Sequence, residues 1–282
     1  MAALVVAIIT FSWGSTLVKL AETPAIALAF LRLAVSSLIW IIVLRVTEGR
    51  WLSRADLRAS LVPGIAFGLN ITCFFTGVTR TTVAAAEFTG ALTPLLVVPA
   101  GVIFFHERTR LAPLAFGAVS FVGLAIVLFN APPTGEFSWT GVWWIVGGMS
   151  LWATYLLTSR HLRQGRSVAV VMAHITPLAA ATALPLSLVT APGDLLAIDT
   201  RSVVFILVLA IVTGTLAHGL MVYAQRTVPI GAISMLQVSQ PALAVLWSVL
   251  FLGSSVRAVQ IVGMALVLAG LVAITTATHR LG

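Results

Sequence analysis

Few residues in this chain could do chemistry, and most of them sit inside long apolar runs. Glu87 is the only carboxylate clearly within such a run, and Arg32 is its basic counterpart. A charge at membrane depth costs about 2.5 to 3.5 kcal/mol on insertion scales, so such groups face protein or water rather than lipid. Glu87 therefore reads either as a site for a proton or a cationic substrate, or as a structural residue of an outer vestibule. Arg32 reads as its partner or as a helix anchor. At 1.5 Å of rise per residue their depths differ by about 6 Å, close enough to pair.

The neutral polar residues divide in the same way. His218 lies one position from the image of Asn70 in a second half of the chain, which suits a substrate path, whereas His174 reads as a structural imidazole bonded to a backbone carbonyl. Gln237 and Gln240 are three apart and share a helical face beside Pro241. Thr93 and Pro94 occupy the matching place earlier in the chain. A mid-span proline removes a backbone hydrogen bond and frees nearby carbonyls to face a cavity, so Pro94 and Pro241 are assigned a structural or gating role. Trp13, Phe88, Tyr155 and Tyr223 complete the expected substrate-binding set as aromatic walls, alongside Asn70, Glu87, Thr93, His218, Gln237 and Gln240. Phe67, Phe75 and Trp152 are further candidates for those walls.

Enzymatic signatures are lacking. The sequence contains no HExxH, GxSxG, Walker loop or nucleotide-binding GxGxxG, and its one cysteine, Cys73, excludes a CxxC site or an intrachain disulfide. Neither catalysis, a metal nor a cofactor is expected. Without a phosphate-binding loop, uphill transport would need an ion gradient or substrate exchange.

The elements that must position these residues follow from composition. Of 282 residues, 60% are hydrophobic and 9% charged, against about a quarter charged in soluble domains. Mean hydropathy is +1.09. That much apolar surface needs lipid around it, so the +8 net charge reports membrane orientation rather than nucleic-acid binding. The pattern predicts an all-α polytopic membrane protein of ten spans, near 3–20, 24–46, 60–79, 83–105, 111–129, 139–158, 168–189, 203–224, 230–252 and 256–276. The first run lacks a basic leader and is read as retained rather than as a signal peptide. With a cytoplasmic N-terminus, the inner loops hold Arg45, Arg50, Arg54, Arg58, Arg108, Arg110, Arg160, Arg163, Arg166, Arg226 and Arg280, and the outer loops only Lys19, Arg80, Arg201 and Arg257. This bias places both termini in the cytoplasm. Gly64 and Gly68 form a GxxxG pair, compatible with a dimer or with close packing inside the bundle.

Self-comparison adds an internal duplication. At a shift of 147 residues Pro94 meets Pro241, Arg110 meets Arg257, Leu96 meets Leu243, Gly123 meets Gly270 and Leu124 meets Leu271; at 139, Trp13-Gly14-Ser15-Thr16 falls on Trp152-Ala153-Thr154-Tyr155. At 142, Arg32 falls on His174. Repeats of five spans must be inverted relative to each other, an arrangement that supports alternating access around a midplane site. The expected units are 1–130 and 139–278, with the cavity lined by spans one, three, four, six, eight and nine.

These residues resemble the EamA-type transporters of the drug/metabolite transporter superfamily. The resemblance rests on Trp13 to Thr16, Phe30-Leu31-Arg32, Thr93-Pro94, Glu107-Arg108 and the Gly117 to Gly123 stretch, echoed by Trp152, Gln240-Pro241 and Gly263 to Gly270. Gly253-Ser254-Ser255 replaces the acidic turn, so Glu107 has no counterpart in the second half. The resemblance implies ten helices, cytoplasmic termini, and export of amino acids or related small metabolites across the bacterial inner membrane. Glu107 is placed at the cytoplasmic end in a structural role beside Arg108 and Arg110. Three functions compete: this secondary carrier, a proton-coupled exporter of drugs or lipophilic cations using Glu87, and a non-transporting membrane enzyme or scaffold. The partners expected are a small-molecule substrate and the bilayer, with proton coupling and oligomeric state left open.

Overall fold

The computed structural model describes residues 2–97, 100, 112–132, 136–190, 192–195, 198–228, 233, 237 and 239–279. Glu107 lies outside them. Helices account for the elements among the described residues: α1 (Ala2–Ser12), α2 (Gly14–Ala21), α3 (Ala25–Glu48), α4 (Arg54–Ala59), α5 (Leu61–Arg80), α6 (Val83–Gly90), α7 (Ala112–Phe129), α8 (Trp139–Arg163), α9 (Val168–Thr190), α10 (Thr200–Val208), α11 (His218–Ala224), α12 (Gln240–Leu252) and α13 (Ala258–His279). A short 3₁₀ turn, Pro192–Leu195, follows α9, and a π-helical stretch, Leu209–Ala217, joins α10 to α11.

Among the described residues, five helices are long and apolar enough to cross a membrane: Ala2–Ala21, Ala25–Glu48, Leu61–Arg80, Val168–Thr190 and Thr200–Ala224. Shorter apolar helices cover Val83–Val97, Phe116–Phe129, Gln240–Leu252 and Ala258–Ala273. Helix α8 runs 25 residues, five beyond the expected end at 158, because Arg160, His161 and Arg163 favour a helix C-terminus and stay out of the apolar layer. Side-chain caps fix several starts. Thr82 accepts from the Ala85 N–H at 3.1 Å, and Asp199 from the Ser202 N–H at 2.7 Å.

Three spans are interrupted where the sequence carries hydroxyls, proline or glycine. The first is broken at Trp13, directly after Thr10 and Ser12 turn their hydroxyls back onto the carbonyls of Val6 and Ile9, at 2.7 Å each, a pairing that bends helices. The fourth leaves α-geometry at 91–93, where Thr93 donates to the Gly90 carbonyl at 2.7 Å ahead of Pro94. In the eighth, Thr215 reaches the Ala210 carbonyl five residues back at 2.8 Å, and Ser36 of α3 donates to the same carbonyl at 3.1 Å. π-Turns recur at functional sites.

Packing joins spans distant in sequence: α3 lies on α9, α5 on α8 and α9, α6 on α8 and α12, and α7 on α13. Gly64 and Gly68 face α9, where an added Cβ at Gly68 would sit 2.5 Å from the Ala179 carbonyl. The GxxxG pair thus serves a contact inside the bundle. The largest cluster of buried apolar residues draws on α3, α5, α8 and α9, including Leu28, Phe67, Tyr155 and Met172.

Candidate functional site

The interruptions converge on one cavity of about 140 Å³. Its wall takes Phe11 and Gly14 from the broken first span, Arg32 from α3, and Asn70, Ile71, Phe74 and Phe75 from α5. Glu87, Gly90, Ala91, Thr93 and Pro94 come from the unwound fourth span, Ile145, Met149 and Trp152 from α8, Thr213 and His218 from the π-stretch and the start of α11, and Gln237, Gln240 and Pro241 from the ninth segment. The lining expected from sequence comes from spans one, three, four, six, eight and nine; Arg32, in the expected second span, also lies on this wall.

Glu87 is buried, 4% exposed. Ser15 donates a hydrogen bond to one carboxylate oxygen, and the Gln240 amide nitrogen lies 3.4 Å from the other. Both donors are neutral, and they come from spans one and nine. Arg32 is 1% exposed, with its guanidinium 5.6 Å from the centre of the Phe75 ring. Its Nε and Nη1 have no acceptor among the described residues. The pairing with Glu87 allowed by their depths is not formed: no ion pair within 4.0 Å joins them among the described residues. The two side chains come from different spans, and similar depth along the membrane normal sets no lateral distance. Gly214 permits Arg32 to lie against the π-stretch, since an added Cβ would meet Ser36 Oγ and approach Arg32 Nε to 3.3 Å.

His218 is buried within an aromatic cage, its ring centre 4.7 Å from Phe11, 4.6 Å from Phe67 and 5.6 Å from Trp152. Its Nδ1 has no partner among the described residues. Asn70 donates to the Gly148 carbonyl at 2.8 Å, fixing its amide between α5 and α8.

Four expected wall residues lie elsewhere. Trp13 stacks on Trp247 at 4.4 Å, and Trp247 in turn donates to Ser12 at 2.9 Å, so Trp13 ties the broken first span to α12. Phe88 is fully buried in the apolar cluster shared with Leu124, Val267 and Leu271. Tyr155 stacks on Phe67 at 4.8 Å behind the His218 cage, with its hydroxyl toward Met172 Sδ at 3.8 Å. Tyr223 is 59% exposed on the outer surface of the bundle.

His174 sits apart, at the end of α9 that faces the loop after α3. Its Nδ1 lies 2.7 Å from the Val170 carbonyl, and its Nε2 is 3.0 Å from the Ser53 N–H. The carbonyl needs a donor and the N–H an acceptor, so the ring is the neutral Nδ1-H tautomer. Sequence reasoning missed Ser15, Phe11, Phe74, Ile145, Met149 and Thr213. The spacing of 145, 149 and 152 marks one helical face, and 70, 71 and 74 mark another, so accepting Asn70 and Trp152 would have led to their neighbours. Ser15 and Thr213 carried no such signal.

A helical bundle with several membrane-length apolar helices around a buried, polar-lined cavity and no catalytic constellation among the described residues defines a class, the multi-pass membrane proteins that handle small molecules. The model of the EamA-like transporter family matches residues 1–129 and 139–276, and the chain belongs to that family of membrane transporters. No curated protein matches the chain. One solved structure, described only as "Crystal structure of protein", is similar with a TM-score of 0.71 at 20% identity, covering 99% of this chain and 97% of that one. At that identity the likeness concerns the fold.

Proposed function

We propose that the protein is a secondary carrier exporting amino acids or related small metabolites across the bacterial inner membrane, by alternating access between two inverted repeats of five spans with both termini cytoplasmic. The observation that carries this reading is the cavity, whose polar wall comes from both halves: Arg32, Asn70 and Glu87 from the first, His218, Gln237 and Gln240 from the second.

Contact topology supports the inverted repeat. Adding or subtracting five maps span three on six onto eight on one, and both contacts are present; three on seven maps onto eight on two, and four on six onto nine on one, again with both members present. The two-part family match and the eleven-to-four split of basic residues across the loops, counted from the sequence, point the same way. Purified protein in vesicles should move labelled amino acids with saturation, and an unsaturable ion current in its place would overturn the reading.

A second reading, the proton-coupled exporter of lipophilic cations, is favoured by one observation: Glu87 is a buried carboxylate on the cavity wall held only by neutral donors. Glu87→Gln should then abolish gradient-driven efflux and spare exchange. Unchanged efflux would remove it.

A further inference from the structure

We propose that Arg32 and Glu87 are two separate poles of one zwitterion site: Arg32 receives a carboxylate, Glu87 receives an ammonium group, and the apolar remainder of the cavity wall receives an uncharged apolar side chain. This rests on the carrier reading and gives its site a residue-level chemistry.

A guanidinium stays charged in a protein. Burying it without an acceptor is costly, and the natural remedy is a carboxylate at bonding distance. Arg32 is nearly inaccessible, yet two of its nitrogens lack any acceptor among the described residues, and the residue borders the cavity. Ser36, its neighbour across Gly214, donates to the Ala210 carbonyl, and no hydrogen bond joins its hydroxyl to Arg32 Nε or Nη1 among the described residues. The cavity that Arg32 borders is the side from which a ligand supplies that acceptor.

Glu87 presents the complementary case. Ser15 and Gln240 orient its oxygens without neutralising them, and no cation reaches it among the described residues. Had Arg32 and Glu87 met each other, the cavity would be internally paired and indifferent to ligand charge. Held apart in one cavity, they demand a ligand that brings both signs and no net charge. Ile71, Phe74, Ile145, Met149 and Trp152 cover the rest of the wall with apolar and aromatic surface. An α-amino acid with a side chain such as leucine's meets all three requirements. A bare amine or a bare acid leaves one buried charge unmatched, and sites built to bond a group reject analogues lacking it far more strongly than sites lined by apolar surface alone.

The test uses the full chain in detergent and a matched trio of ligands: leucine, 3-methylbutylamine, which lacks the carboxylate, and 4-methylpentanoate, which lacks the ammonium group. Calorimetric titration should show leucine binding at least about tenfold tighter than either fragment. Arg32→Gln should lower leucine to the affinity of the amine and leave the amine unchanged, while Glu87→Gln should lower leucine to the affinity of the acid and leave the acid unchanged. Where Arg32→Gln does not fold, Arg32→Lys keeps the charge, loses the planar donor array, and should weaken leucine and the acid but not the amine. Equal binding of the trio by the unaltered protein would overturn the proposal, as would variants that weaken all three ligands alike. If vesicles take up some other solute with saturation while none of the trio binds, the two-pole site is wrong and the carrier reading stands; if no solute shows saturable uptake, the carrier reading itself fails.

Discussion

Asp56, outside the apolar layer, shows how single residues hold the loops that link the spans. It receives Arg50 Nη2 at 2.6 Å, Arg166 Nε at 2.8 Å and the Ser53 hydroxyl at 2.7 Å. Burial pushes its carboxyl up, but the bonds from Arg166 and Ser53, followed by nearby positive charge including that of Arg166, bring it from 3.8 down to about 2. Because the folded value is the lower one, the contribution to stability is complete above pH 3.8 and is lost as pH falls through about 2. Asp56→Asn should cost about 1 kcal/mol near neutral pH after allowance for solvent screening. Its thermal midpoint should converge on that of the unaltered protein between pH 4 and pH 2, which thermal denaturation across pH would check. The sequence disclosed polar residues inside apolar runs by type alone, which is why Asn70, Glu87, Thr93, His218, Gln237 and Gln240 were found. It did not distinguish aromatic residues facing the cavity from those facing lipid or the core, and Tyr223, Tyr155 and Phe88 show that ring chemistry is identical in all three settings.

At the scale of elements, the five membrane-length helices and the shorter apolar ones were legible because apolar length reports a helix directly, while the interruptions were not. Proline at 94 announced one. The break at Trp13 depends on hydroxyls bonding back within their own helix, and the π-stretch at 209–217 depends on Ser36 and Thr215 sharing the Ala210 carbonyl; neither has a sequence signature beyond scattered Ser and Thr. Helix pairing is set instead by small residues. An added Cβ at Gly123 would fall 2.6 Å from the Gly263 carbonyl and 2.7 Å from the Val267 amide, both backbone, whereas at Gly147 it would meet nothing within 4 Å. Gly123→Val should therefore separate α7 from α13 and cost about 1 to 3 kcal/mol, the range for overpacking a tight contact. Gly147→Ala should stay within about 0.5 kcal/mol. Thermal unfolding of the two variants in detergent decides the matter, and equal midpoints would mean that α7 and α13 do not depend on this approach.

At the scale of the whole molecule, contacts between the two halves close both ends of α3. At one end Asp56 pairs with Arg166, and the Ser167 hydroxyl donates to Glu48. At the other, Arg201 pairs with Glu22 at 3.0 Å, and Thr23 bonds Ser202 at 2.9 Å. A 24-residue helix separates the two sets by about 36 Å at 1.5 Å per residue, so they lie on opposite faces of the apolar layer. Surface ion pairs of this kind are individually weak, about 0 to 1 kcal/mol, and under the proposed alternating access small barriers suit contacts that break and re-form in each cycle. If the halves rock about the cavity, each set opens while the other holds, and fixing either one should stop transport. In a Cys73→Ser background, Asp56→Cys with Arg166→Cys, or Glu22→Cys with Arg201→Cys, joined by a short reducible bifunctional reagent, should lower vesicle uptake at least about tenfold, with recovery after reduction. A channel that stays open to both sides, or a gate at one end only, predicts that at least one locked protein keeps working; rapid, saturable uptake through either would show that the two ends do not alternate.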